Sequence, residues 1–371
     1  MPGQTLRRQV IAKARSVVVK VGTNAICDAT GKPDKAAIDG LARQLAALIK
    51  RGIAVTLVAS GAIGSGVCEL GLPGRPKTLP RLQAAAAVGQ GQLMRTFHDV
   101  LAAYGVKVAQ VLLTRDDIEH RTRYLNIRNT LRALGQFKAL PIINENDTVA
   151  VEEIRFGEND ILAALVTTML GADVAVFLTS VDGLMAEGKV IDVVEHVDEQ
   201  ALSLVGPQRS SLGSGGMATK LQAAGLVTRA GQVAVIANAR TPDILVRLMD
   251  GEQLGTVFVP ASQRMSSRTR WIASAPKPKG KIVIDDGAAR ALVQRGTSLL
   301  PSGVVGVIGQ FAKGAMVAVV DAAGNQIARG LTNYSSSGID RIKGLKTAQI
   351  AKILGDKPYD EVIHRNNMAL G

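Results

Sequence analysis

The fold of this chain is decided by the stretch SVVVKVGT at residues 16–23. Its valines predict a β-strand, and a nearly continuous apolar run is typical of a strand that is buried on both faces. Lys20 interrupts the run. Because an unpaired charge is costly to bury, we expect an anionic partner for this lysine. A side chain that reaches the surface along its methylene groups is the alternative.

Outward from this strand, short apolar runs alternate with amphipathic helical stretches as far as about residue 260. The predicted strands cover residues 17–21, 53–59, 106–113, 140–143, 174–178 and 233–237. One predicted helix begins at Asp34, because aspartate is a residue type that caps helix N-termini. The other predicted helices cover residues 82–104, 124–137, 161–170, 218–230 and 242–249. This alternation predicts an α/β fold, in which helices cover both faces of a mostly parallel sheet.

The sequence changes character at residues 275–280, APKPKG, which resist both helix and sheet. We place a linker at 276–279, a first domain at 1–275 and a second domain at 280–358, followed by a tail at 359–371. The second domain consists of short strand-like pieces punctuated by glycines. It is predicted to form a small β-rich barrel.

Composition limits the class of protein and its partners. The net charge of +13 favours anionic partners, either nucleotides or nucleic acid. Aromatic residues make up only 3%, which leaves few stacking platforms for single strands, so RNA is possible but not expected. No apolar run could cross a membrane, and the first twenty residues lack a secretory signal pattern. The two cysteines and four histidines have no metal-ligand spacing, so we predict no protein-bound metal and a reducing, cytoplasmic environment.

Small or polar residues follow four of the predicted strands. They occupy positions 22–23, 60–66, 144–147 and 179–180. Because the carboxyl ends of parallel strands meet along one edge of a sheet, where loops lead into helix N-termini, we expect these residues to lie together. The sequence therefore predicts an active site at that edge.

Two glycine-rich segments, 60–66 and 213–220, lead into predicted helices. Glycines let the backbone approach a ligand closely, and a helix N-terminus offers free N–H groups to an anion. The first segment lacks the spacing of a dinucleotide-binding loop, and an ordinary strand–helix turn is equally compatible with it. The second lacks the P-loop spacing, but its glycines, hydroxyls and Lys220 favour a polyphosphate over a plain exposed loop.

Two carboxylate-rich segments, 144–147 and 157–160, complete the predicted edge. Taken alone, the first segment could be an ordinary turn, in which asparagine and aspartate are common. Asp160 could likewise be an acidic residue at a helix N-terminus, where the helix dipole favours a negative charge. Together with the glycine–lysine segments they favour a polar substrate pocket. If the acceptor is a carboxylate, no general base is needed, because a pKa of about 4.3 leaves it ionised at neutral pH. Alignment and neutralisation of charge then suffice for phosphoryl transfer.

In their order along the chain, these segments resemble the glutamate 5-kinases of the amino acid kinase family. The similar segments are 18–23, 60–63, 142–147, 157–160 and 213–224. The second domain resembles a PUA domain, with 287–289 and 296–301 similar to its opening. The resemblance implies phosphorylation of the side-chain carboxylate of L-glutamate by ATP to give γ-glutamyl phosphate. This would be the first step of proline biosynthesis, with proline as feedback inhibitor.

The same resemblance implies roles for individual residues. Lys20 and Lys220 would stabilise the transferring phosphoryl group, and Asp160 would hold both lysines. Glutamate would be bound by Ser60, Asp147 and Asn159, with Asp147 suited to its ammonium group. ATP, with Mg²⁺, would contact Lys20, Thr179, Ser180, Ser214, Gly215, Gly216, Met217, Ala218, Thr219 and Lys220. A dimer or tetramer would be expected.

One departure from the family pattern concerns residues 179–185. The family commonly has Thr-Asp, then Gly-Leu-Tyr and an extended loop, whereas this chain has TSVDGLM and a shorter continuation. Acetylglutamate kinase, aspartokinase and uridylate kinase are alternatives of the same fold, and residues 144–147 and the PUA-like domain argue against them. An RNA-binding protein is the alternative from another class, because PUA domains also occur in RNA-modifying enzymes. The spread-out charge and the scarcity of aromatic residues argue against it.

Overall fold

In a computed structural model of the chain, the described residues are 7–28, 30–150, 158–197, 216–260, 272, 278–355 and 359–370. The chain divides into two compact units, Met1–Arg264 and Met265–Gly371. The predicted linker at 276–279 lies partly outside the described residues, so the domain boundaries set from the sequence stay predictions.

The first unit is built on an eight-stranded sheet. The strands of this unit are β1 (Ser16–Val21), β2 (Ala54–Ala59), β3 (Lys107–Leu113), β4 (Ala139–Glu145), β5 (Val174–Thr179), β6 (Met185–Ala186), β7 (Lys189–Val190), β8 (Val193–Val194), β9 (Val233–Asn238) and β10 (Thr256–Phe258). Their order in the large sheet is β3-β4-β2-β1-β5-β9-β10-β8. Strand β10 runs antiparallel to β9, and the other described pairs of this sheet are parallel. The prediction of a mostly parallel sheet is confirmed. Strands β6 and β7 pair separately as a short antiparallel hairpin.

Helices connect these strands. They are α1 (Thr23–Ile26), α2 (Lys35–Lys50), α3 (Ala62–Glu69), α4 (Leu79–Ala102), α5 (Arg115–Glu119), α6 (Arg121–Gln136), α7 (Glu158–Leu170), α8 (Met217–Arg229) and α9 (Ile244–Met249). Helix α2 begins where predicted, because the Asp34 carboxylate accepts hydrogen bonds from the N–H groups of Ala36 and Ala37. Helix α4 begins earlier than predicted, with a proline in its first turn, where no N–H is needed. Among the described helices, none has the length and hydropathy needed to cross a bilayer.

Strand β1 directs alternate side chains to opposite faces of the sheet. Val17, Val19 and Val21 belong to a core that also contains residues of α2, α4 and α9. Val18 and Lys20 point to the other face, where α7 packs against β1 and α8 packs against α7. Lys20 therefore lies on the side of the sheet where these two helices begin.

The second unit has its own core and a five-stranded sheet. Its elements are β11 (Lys281–Ile284), α10 (Asp286–Arg295), β12 (Val304–Ile308), β13 (Met316–Val320), β14 (Gln326–Leu331), α11 (Ser336–Ile342), α12 (Ile350–Leu354) and β15 (Met368–Leu370). The order of the strands in the sheet is β12-β11-β13-β14-β15. The predicted β-rich character is confirmed, but helix α10 was not predicted. That helix is capped by Asp285, which accepts from the N–H of Ala288 at 2.7 Å. It ends at Gly296, which has the positive φ of +58° that favours glycine.

Candidate active site

Lys20, Asp160 and Lys220 form one buried cluster at the predicted edge of the sheet. Lys20 Nζ lies 2.7 Å from Asp160 Oδ1, and Lys220 Nζ lies 3.1 Å from Asp160 Oδ2. Asp160 is 0% exposed and each lysine is 5% exposed. The anionic partner expected for Lys20 is therefore Asp160. We refer to these three residues as the lysine–aspartate cluster.

Three different elements bring this cluster together. Lys20 comes from the end of β1, Asp160 from the first turn of α7, and Lys220 from the first turn of α8. The positive ends of both helices favour the Asp160 carboxylate, and equally any other anion held there. Thr219 adds a hydroxyl, which donates to the carbonyl of Gly216 at 2.8 Å and lies 3.4 Å from Asp160 Oδ2.

Among the described residues, two lysines share the one carboxylate of Asp160. Burial acts to raise the pKa of Asp160, but the two ammonium groups outweigh it and hold that pKa below its usual value. Burial lowers the pKa of Lys220, and the charge of Lys20 lowers it further, while Asp160 opposes both. Two ammonium groups beside two helix N-termini attract negative charge. The cluster is therefore suited to receive an anion such as a phosphoryl group.

The three residues predicted to bind the substrate line one cavity of about 450 Å³. Ser60, at the carboxyl end of β2, accepts a hydrogen bond of 2.9 Å from Asn159 Nδ2. Asp147 lines the same cavity from the segment that follows β4. Asn159 immediately precedes Asp160, so the cavity and the lysine–aspartate cluster lie side by side.

The cavity also contains a cation that was not predicted from the sequence. Arg75, between α3 and α4, lines the cavity and is exposed to solvent. Partial desolvation against the protein lowers the pKa of its guanidinium, and the negative charge of Asp147 acts in the opposite direction. In the sequence, an arginine between a glycine and a proline is typical of a surface loop, and only the folded chain places it beside Asp147.

Of the residues predicted to bind the nucleotide, those that the structure describes lie at the same edge. Thr179 and Ser180 stand at the end of β5, the neighbour of β1. Within the described part of the chain, no hydrogen bond or ion pair joins these two residues to the cluster. Gly216 caps α8, and Met217, Ala218, Thr219 and Lys220 form its first turn. Ser214 and Gly215 lie outside the described residues.

A second cavity, of about 290 Å³, opens at the end of β9. Asn238, which pairs with Thr179 in the sheet, donates from Nδ2 to Asp182 Oδ1 at 2.8 Å in its wall. Asp182 belongs to the segment in which the sequence departs from the family pattern. This departure therefore lies next to Thr179.

Comparison with known proteins agrees with the predicted family. The profile of the amino acid kinase family matches residues 15–238, and that of the PUA domain matches residues 280–354. The glutamate 5-kinase of Moorella thermoacetica is 46% identical over 368 residues, which cover 97% of this chain and 97% of that protein. The glutamate 5-kinase of Caldanaerobacter subterraneus subsp. tengcongensis is 47% identical over 361 residues, covering 95% and 97%. That of Geobacter sp. strain M21 is 44% identical over 372 residues, covering 98% and 100%. The family prediction is thus confirmed, and the chain belongs to the amino acid kinase family, among its glutamate 5-kinases, with a PUA domain after the kinase domain.

Proposed function

We propose that the protein transfers the γ-phosphoryl group of ATP to the side-chain carboxylate of L-glutamate, giving ADP and γ-glutamyl phosphate. The observation that carries this proposal is the position of the lysine–aspartate cluster beside a polar cavity that is large enough to hold an amino acid. Asn159 belongs to the cavity and Asp160 to the cluster. An acceptor held in the cavity thus has its reactive group next to two buried ammonium groups.

The charges of the cavity suit a zwitterion. We assign the ammonium group of glutamate to Asp147 and its α-carboxylate to Arg75, which lines the same cavity. Ser60 and Asn159 add a hydroxyl and an amide from the side of the cluster. The side-chain carboxylate, directed toward the cluster, needs no general base because it is ionised at neutral pH.

Phosphoryl transfer then depends on alignment and on charge. A carboxylate oxygen forms a bond to the γ-phosphorus as the bond from that phosphorus to the β–γ bridging oxygen breaks, and ADP leaves with the bond's electrons. Lys20 and Lys220 neutralise the charge on the transferring group, and Asp160 keeps both ammonium groups aimed at it. Mg²⁺ enters as part of the ATP substrate and shields the phosphate oxygens.

We place the nucleotide against the first turn of α8 and the end of β5. The N–H groups of Gly216, Met217, Ala218 and Thr219 are at a helix N-terminus, where phosphate groups are favourably bound. Thr179 and Ser180 flank this position from the neighbouring strand end. Ser214 and Gly215 belong to the same proposed site through the sequence resemblance.

The family resemblance also supports proposals about the context of this activity. We propose that the reaction is the first step of proline biosynthesis, that proline inhibits it, and that the chain forms a homodimer or homotetramer. A cytoplasmic location is part of the same proposal, in keeping with the two cysteines, which are both free thiols.

The test is incubation of the protein with ATP, Mg²⁺, hydroxylamine and one candidate acceptor at a time. We expect an acyl hydroxamate and an equal amount of ADP with L-glutamate, because hydroxylamine traps acyl phosphates. L-Aspartate, N-acetyl-L-glutamate and UMP are the comparison acceptors. ADP formation with one of these, and none with glutamate, would contradict the proposal.

A further inference from the structure

A buried glutamine of α4 contacts the substrate side of the site, although the proposed mechanism does not use it. Gln90 is 9% exposed, and its Oε1 accepts a hydrogen bond of 2.8 Å from Asn144 Nδ2. Asn144, at the end of β4, is 3% exposed. A buried pair of side-chain amides is costly unless each group is paired, so its orientation has consequences.

The orientation of Asn144 follows from a backbone group. The N–H of Glu145 donates to Asn144 Oδ1 at 2.9 Å, and a backbone N–H can only donate. The amide nitrogen of Asn144 must therefore face Gln90, which has to present its oxygen. The polarity of both side chains is fixed by this one donor.

The same oxygen fixes Asn159. Asn144 Oδ1 accepts a second hydrogen bond, of 2.9 Å, from Asn159 Nδ2. The other N–H of that amide is directed to Ser60 Oγ, also at 2.9 Å. With both N–H groups used, the Asn159 oxygen is left as an acceptor, and it is buried without a hydrogen-bond partner among the described residues.

This arrangement sets which groups the substrate meets. Ser60 Oγ accepts from Asn159 and so keeps its own proton to donate, which suits a carboxylate. Asn159 Oδ1 is itself buried, so it does not face the substrate. If Asn159 were turned over, that oxygen would lie against Ser60 Oγ and Asn144 Oδ1, and the Ser60 proton would be drawn to it. The cavity wall would then lack the donor that the substrate carboxylate is proposed to meet.

We propose that Gln90 is a positioning residue for the amino acid substrate. By accepting from Asn144 Nδ2 it pairs one amide hydrogen of Asn144, and it thereby holds in place the Asn144 oxygen that orients Asn159 and leaves the Ser60 proton for the substrate. The identity of that substrate rests on the proposed function. Gln90 itself touches neither the substrate nor the lysine–aspartate cluster in this scheme.

The test compares Gln90→Met, which keeps the length of the side chain but removes the acceptor, with Gln90→Glu, which keeps the acceptor. Gln92→Met, a half-buried position on the same helix, is the matched control. We expect Gln90→Met to raise KM for glutamate about tenfold, equivalent to about 1.4 kcal/mol. KM for ATP and kcat should stay within about twofold, because only binding of the acceptor is weakened. Gln90→Glu and Gln92→Met should resemble the unaltered protein in all three constants.

Circular dichroism and thermal unfolding accompany the kinetics, and Gln90→Ala replaces Gln90→Met if the latter does not fold. The proposal is overturned if the folded variant without an acceptor keeps its KM for glutamate. It is also overturned if KM for ATP rises equally, or if Gln90→Glu is impaired as much as Gln90→Met. An unaltered protein that forms no hydroxamate from glutamate would overturn the proposed function itself, and the substrate assignment of Gln90 with it.

Discussion

Replacement of Asp160 by asparagine should destabilise the first unit strongly, because it removes the carboxylate that two buried lysines share. Asparagine has nearly the same size, so the loss is electrostatic. Removing one partner of a buried ion pair costs about 3–5 kcal/mol, a large part of the roughly 5–15 kcal/mol by which domains are stable. Since Lys20 and Lys220 would then repel each other, we expect the upper half of that range.

Asp250→Asn is the matched control. Asp250 Oδ1 lies 2.7 Å from Arg51 Nη1, the same separation as in the Lys20–Asp160 pair, but the side chains are 51% and 43% exposed. An exposed pair contributes about 0–1 kcal/mol. In calorimetry, a loss of 1 kcal/mol lowers the unfolding midpoint by about 2–4 °C for a unit of this size. Asp160→Asn should therefore lower the midpoint by roughly 10 °C or more. Asp250→Asn should lower it by a few degrees at most. Equal shifts in the two variants would refute the reasoning.

The cost of Asp160→Asn should depend on pH in a defined direction. The pKa of Asp160 is lowered in the folded chain, so its stabilisation is complete above the unfolded value, near 3.8, and is lost as the pH falls through the folded value. The pKa of Lys220 is also lowered in the folded chain. Burial of its charge therefore costs stability at every pH below the folded pKa. This stability is regained as the pH rises from the folded pKa toward the unfolded value of 10.5. The deficit of Asp160→Asn should therefore be largest near neutral pH and shrink in both acid and alkali. A deficit that does not change with pH would mean that charge is not its cause.

Three further outcomes are expected. Lys20→Ala and Lys220→Ala should each lower kcat about 100-fold or more while KM for glutamate changes little, in steady-state assays, since both lysines act on the transferring group; near-normal kcat in both would end their assignment. A chain that ends near Pro276 should retain its kinase activity in the hydroxamate assay, and loss of activity in a folded truncation would make the second unit part of the catalytic machinery. Gly89→Ala should cost about 1–3 kcal/mol in thermal unfolding by overpacking, whereas Gly91→Ala, with open space at its Cβ position, should gain about 1 kcal/mol; the same sign in both would refute the packing argument.

The convergence of Lys20, Asp160 and Lys220 could be expected from the sequence, although they are far apart along the chain. The reason is topological, since parallel strands joined by helices return every strand end to one edge. The expectation therefore required only that the strands, and the segments that follow them, were identified correctly. The positions of Gln90 and Arg75 do not follow from the sheet topology. Gln90 belongs to the middle of a long helix, and its approach to Asn144 depends on how that helix packs, which local pattern does not indicate.

Helix α10 was overlooked for a different reason, because its signals were present. Asp285 is a preferred N-cap residue, and Gly296 is the residue type that ends helices with a positive φ. The strand-like pieces around it led the whole segment to be interpreted as β-structure. Local caps therefore indicated this helix better than the general character of the surrounding sequence did.

The packing of α3 against α4 links the fold to the orientation of the substrate-binding groups. A Cβ atom at Gly66 would overlap the carbonyl of Ala85, and one at Gly89 would overlap the carbonyl of Ala62, so the two helix backbones are in direct contact. Helix α3 follows immediately on the loop that carries Ser60, and Gln90 follows Gly89.

The two helices thus hold Asn159 from two directions, through the hydroxyl of Ser60 and through Gln90 and Asn144, with hydrogen bonds of 2.8–2.9 Å. Such bonds weaken quickly beyond about 3.2 Å, so a side chain that pushed the helices apart would break this chain of contacts before it disrupted the apolar core. Small residues at the helix crossing are therefore required by the polar geometry of the cavity as much as by packing.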